Sequence, residues 1–214
     1  MPPSTKSTHN ALTEPDRTEP ATQIDGRIAR GLRARKSMAD ALISLLQEGI
    51  AAPTAREIAS RAGVSLRLVF HHFEDMEEVF KAAVAIQVER HWKSLQPVAA
   101  LGPLQKRVHD TVTKRLDLYE SVAPVRRAAA RRIDSSPIIT EHMDASRELL
   151  RAHLLNTFAT ELARDPKVST LDALEVALSF ETWDFLQRDL RTTDRTGPVM
   201  EHLALGALGT QKKG

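Results

Sequence analysis

One short stretch holds Leu66, Arg67, Leu68, Phe70, His71 and His72. A solitary surface helix seldom carries leucines, a phenylalanine and an arginine on its wet side, so the chemistry this set points to is recognition. The planar, permanently charged fork of Arg67 matches the O6/N7 edge of guanine. Leu66 and Leu68 can offer only apolar contact, for which thymine methyl groups are natural partners. The competing use of Arg67 is to hold a backbone phosphate, which would strengthen binding to any sequence alike.

The elements that must position this set are two short helices and a tight turn over residues 54–73. Thr54 is a good N-cap, and Glu57 completes a capping box. Ile58, Ala59 and Ala62 make one apolar face, and Gly63 tolerates the left-handed backbone of the turn. Val64 fits between the helices, Ser65 caps the second, and Val69 and Phe73 are its buried side. A helix-turn-helix of this kind places its second helix in a DNA major groove. The bland alternative is a helical corner with Leu66, Leu68 and Phe70 buried against a neighbour. Just upstream, Arg27, Arg30, Arg33, Arg35 and Lys36 have no acid among them. They read as an arm along phosphates or, equally, as a solvated basic linker.

The bounds are broad. The chain has 214 residues, 42% hydrophobic and 27% charged, with a formal net charge of +2. That balance does not demand nucleic acid; the placement of the basic residues matters more. Cysteine is absent, which excludes disulfides and thiolate metal sites and fits a cytoplasmic location. No apolar run approaches the ~20 residues of a membrane span, and no secretory h-region opens the chain. Gly-rich phosphate loops, nucleophile elbows and zinc-protease motifs are missing, and the histidines lack ligand spacing, so neither catalytic residues nor a cofactor or metal is expected.

Residues 1–25 read as a disordered tail, 26–80 as a helix-turn-helix domain and 81–214 as a second helical domain. The first firm helix is expected over 33–48, with Met38, Leu42, Leu45 and Leu46 as its stripe. A helix capped by Asp75 runs to about Leu95 and belongs to both halves. Further helices are expected near 104–120, 124–133, 137–164, 170–191 and 197–209, with breaks at prolines and small polar residues, giving an all-α chain of about nine helices. In the 170–191 helix Leu171, Leu174, Leu178 and Phe185 share one face, while Val176, Phe180, Trp183 and Leu190 share the opposite one. The second face, with Met200, Leu203 and Ala207 of the last helix, is expected to meet a second subunit in a four-helix bundle. The alternative is that both faces are core in a monomer.

I-A-x-x-A-G-V-S at residues 58–65, V-F-H-H-F at 69–73 and E-D-M-E-E-V at 74–79 resemble the tetracycline-repressor (TetR) family of bacterial transcription regulators. The resemblance covers about residues 36–80, with weaker likeness in L-S-F-E-T-W-D-F-L at 178–186. It implies a homodimer that binds a double-stranded operator and releases it when a small-molecule effector enters the C-terminal domain. It would give Thr54 and Phe70 to phosphate, and Leu66, Arg67, Leu68 and His71 to bases, with Ser65 and His72 alongside. Arg67 stands where the family often has glycine, Leu68 where a small residue is usual, and Met76 where a lysine commonly touches phosphate. The family would place an effector among the helices near 104–120, 137–164 and 170–191. Candidates there are His109, Tyr119, His142, Met143, Phe158 and Trp183, each equally at home in a core. Arg126, Arg127, Arg131 and Arg132 could pair with neighbouring acids, relay occupancy to the DNA-binding unit, or receive an anionic effector. The rival functions are a helical enzyme or carrier with an incidental helix-turn-helix, and a DNA-binding dimer that senses nothing.

Overall fold

Met38, Leu42, Leu45 and Leu46 recur at helical spacing, and all are buried along one side of α1 (Glu19–Gln47). The computed structural model describes residues 19–209 except 92, 94–95, 132–135 and 165–167; side chains at 19–25, 27 and 168 fall outside that description. The expected tail therefore lies outside the described residues as far as residue 18. Its last part differs from expectation: α1 begins at Glu19, well ahead of Arg33. Arginine, alanine, leucine and lysine dominate residues 27–36 and all favour a helix.

α2 (Ala55–Ala62) and α3 (Leu66–His72) follow, joined through Gly63 at φ 68°. α4 (Met76–Arg90) is capped by the Asp75 carboxylate, which accepts from the Glu78 N–H at 2.9 Å. It ends at Arg90, before the expected Leu95. α5 (Leu104–Ala130) runs unbroken through Pro124, where two helices were expected. Proline removes one backbone N–H from the ladder. Ala123, Val125, Ala128 and Ala129 are buried on both sides of it, so packing holds the helix together.

Two expected helices are instead split. The 137–164 segment becomes α6 (Pro137–Thr157) and α7 (Ala159–Arg164), parted at Phe158. The 170–191 segment becomes α8 (Val168–Ala177) and α9 (Phe180–Arg188). Ser179 causes that second break: its hydroxyl accepts from the Thr182 N–H at 3.0 Å and starts a new helix. After a short 3-10 turn, α10 (Thr196–Ala207) closes the fold. The protein is all-α, with no strand among the described residues. No described helix is long and apolar enough to cross a membrane.

The hydrophobic side chains form two cores. The first gathers α1 to α4 and takes in Val125 and Ala128 of α5. The second is built from α5 to α10 around Val112, Phe158, Leu174, Leu178 and Met200. The boundary expected at residue 80 falls inside α4, whose Ala83 and Ile86 still belong to the first core. Thus α5 contributes to both cores, and α4 belongs to the first while touching α5 and α6.

The break at Ser179 corrects the expected interface. Phe180 and Trp183 are only 7% and 5% exposed, packed with Tyr119 in the chain's own core, and Met200 is wholly buried. The new helix starts in a different phase, so the face read from a continuous helix does not exist. Outward-facing apolar residues are Val176, Phe185, Leu190 and Leu203. Ala207 is half-buried beside the second core.

Candidate nucleic-acid interface and the cavity behind it

The turn is assembled from local hydrogen bonds. The Thr54 hydroxyl accepts from the Glu57 N–H at 3.3 Å, and the Glu57 carboxylate accepts from the Thr54 N–H at 2.8 Å. That second bond, with one donated by the Thr54 hydroxyl at 2.7 Å, holds the Glu57 carboxyl below its usual pKa. The Ser65 hydroxyl accepts from the Leu68 N–H at 3.2 Å. Arg61 at the end of α2 meets both carboxylate oxygens of Glu48 at 2.6 Å, fastening the turn to α1.

With α3 so placed, Arg67, Phe70 and His71 are exposed, with Ser65 at its start and Thr54 at the start of α2. Positions 67, 70 and 71 follow i, i+3, i+4 spacing and share one helix face. Leu66 and Leu68 do not join that face as expected. Both are half-buried against the first core. Leu66 stands three residues before Val69 and seven before Phe73, so it lies on the buried stripe.

His72 also departs from expectation. Its ring is half-buried, and a Cβ on Gly31 of α1 would come within 3.7 Å of its Cε1. Burial pushes its pKa down, helped by His71 and Arg35. Arg35, expected in a phosphate-tracking arm, turns inward. Its Nη1 donates to the His72 carbonyl at the C-terminal end of α3, and its guanidinium lies 4.2 Å from the Phe73 ring centre. Arg30, Arg33 and Lys36 remain exposed on α1.

Residues 38–83 match the family described as "Bacterial regulatory proteins, tetR family". The chain carries the N-terminal domain of the tetR family. Its fold is also similar to solved structures. One is a transcriptional regulator from Rhodococcus sp. Rha1, 21% identical, covering 82% of this chain and 94% of that one with a TM-score of 0.62. Another is a tetR-family transcriptional regulator from Streptomyces coelicolor, 17% identical, covering 82% of this chain and 78% of that one, also with a TM-score of 0.62. No curated protein matches the sequence.

Behind the tetR-family domain lies an apolar cavity of about 110 Å³ between α4, α5 and α6. Phe80, Val84 and Val88 of α4 form one wall, Tyr119, Val122 and Val125 of α5 a second, and Ile139, His142 and Met143 of α6 a third. Tyr119, His142 and Met143 were expected to line a pocket. The other three candidates lie elsewhere. His109 is exposed and meets Glu201 at 2.7 Å. Phe158 is fully buried in the second core, and Trp183 packs there too. Residue type alone could not distinguish these positions. The walls from α4 were missed because the resemblance places an effector among the helices near 104–120, 137–164 and 170–191 only.

Arg126 and Arg127 pair with the carboxylates of Glu181 and Asp184 at 2.9 and 2.6 Å. This is the ion-pairing use of the basic cluster. Arg131 instead approaches the Ala51 carbonyl, between α1 and α2, at 3.5 Å. Arg132 lies outside the described residues.

Proposed function

We propose that this protein is a dimeric, ligand-responsive transcriptional regulator, acting as a repressor in the cytoplasm. It binds a palindromic operator through α3 and releases it when a small molecule occupies the cavity between α4, α5 and α6. The observation that carries the reading is Phe80. This side chain belongs to the core that supports α3 and also forms part of the cavity wall. An occupant that displaces it acts on the packing beneath the recognition helix, through a helix that packs on α1 at one side and on α5 and α6 at the other.

Arg67, Phe70 and His71 are the groups offered to the major groove, and Arg30, Arg33 and Lys36 supply charge toward the phosphate backbone. The Thr54 and Ser65 hydroxyls stand at the helix starts, where phosphate oxygens are commonly met. Dimerisation is assigned to Val176, Phe185 and Leu203, which line one shallow recess on α8, α9 and α10; Leu190 is exposed as well. Selection of bound duplexes from a random pool tests the reading. The recovered consensus should be a palindrome with half-sites about one helical turn or a multiple apart. A consensus without two-fold symmetry would overturn the dimeric-operator reading.

A further inference from the structure

We propose that the ligand of this cavity is an amphipathic anion, an apolar chain ending in a carboxylate that Arg115 and Arg126 receive. The inference rests on the effector reading above and narrows it to a chemical class.

The apolar cavity adjoins a smaller recess between α5, α6 and the α8–α9 break, and Tyr119, Arg126 and Leu150 line both. Arg115 also lines the recess and is 5% exposed. Its Nη2 donates to the Leu150 carbonyl at 2.9 Å, while its Nη1 is buried with no hydrogen-bond partner among the described residues. Arg126 shows the same deficit: Nη2 is bonded to Glu181, but Nε is buried and unpartnered.

The other charges facing the recess do not satisfy Arg115. Glu175 is engaged by Arg151, Glu181 by Arg126, and Arg147 is paired with Asp144. No carboxylate among the described residues forms an ion pair with Arg115; Glu175, the other charge there, shares Arg151 with Asp172. A buried guanidinium without an anion is costly, and an incoming carboxylate would remove that cost while meeting two open N–H donors. The Tyr119 hydroxyl between the two spaces already donates to the Leu178 carbonyl at 2.6 Å. Its pKa is raised by burial and drawn back by Arg115 and Arg126. The apolar cavity next door accepts the chain of such a ligand.

Octanoate, octanol and octylamine share one chain length and differ in head-group charge. Titration calorimetry of each against the full chain should show octanoate binding at least about tenfold more tightly than octanol, with octylamine weakest. Arg115→Met should bring octanoate down to the octanol level and leave octanol unchanged. Should that variant fail to fold, Arg126→Gln should narrow the octanoate preference in the same direction. Equal binding of octanoate and octanol by the unaltered protein overturns the anion inference and leaves an apolar effector cavity standing. Failure of all three probes to bind overturns both.

Discussion

Arg107 lies against the end of α6, donating from Nη1 to the Thr157 carbonyl at 2.7 Å while its Nη2 meets Glu161 at 2.5 Å. Its Nε reaches the Gly102 carbonyl at 3.2 Å, and its guanidinium lies 5.6 Å from the Phe158 ring centre. One largely buried cation thus satisfies the carbonyl terminus of α6 and fixes the start of α7. Removing one member of a buried pair leaves an uncompensated charge, so Arg107→Leu should cost about 3–5 kcal/mol. Arg107→Leu with Glu161→Leu should cost less than the sum of the two single changes. Urea unfolding of the four proteins checks this, and strict additivity would contradict the pairing.

Arg67 discriminates between two modes of contact. With base readout, Arg67→Ala should cost about 1–3 kcal/mol on the cognate operator and relax preference at one guanine per half-site. With phosphate contact it should weaken all sequences alike and reduce the salt slope by about one. Binding to operators varied base by base, at two salt concentrations, separates the two.

The outward apolar residues and their buried neighbours should respond differently to charge. Val176→Glu with Phe185→Glu should give a folded monomer by light scattering, since both side chains are more than half exposed. Trp183→Glu should instead unfold the second core, because an unpaired charge would be buried there. A dimer surviving the first double substitution would move the interface elsewhere.

Three histidines should make the protein less stable in mild acid. His72, His91 and His153 have their pKa values lowered from 6.5, burial being the largest cause for each. The unfolded chain then binds more protons than the folded one as pH falls through 6.5, so their contribution is full above that value and lost below it. Melting temperature should decline between about pH 7.5 and pH 5.5, and His153→Gln should reduce the decline. A flat profile in that window would rule out a contribution from these groups.

The turn at Gly63 was legible because its signals are local: a capping box, a left-handed glycine and a serine cap lie within a few residues of one another. The stripe of α1 was legible for the same reason. Leu66 was misassigned although its spacing to Val69 and Phe73 already put it on the buried side. The error around Phe180 had a different origin. Ser179 followed by Glu181 is a helix start, and reading through it rotated every later side chain onto the wrong face. Pro124 misled in the opposite sense, since burial of its neighbours depends on packing from distant helices. Arg35 and Arg107 could not be placed from sequence at all, because their partners are 37 and 50 residues away.

Phe80 carries a thermodynamic obligation. If a ligand beside it weakens operator binding by some factor, operator DNA must weaken ligand binding by that same factor, because the two events form a closed cycle. Affinity measured on free protein therefore overstates affinity on the DNA-bound form. Copies held on DNA would respond only at higher ligand concentration, so spare duplex in the cell would itself help set the dose at which the switch turns.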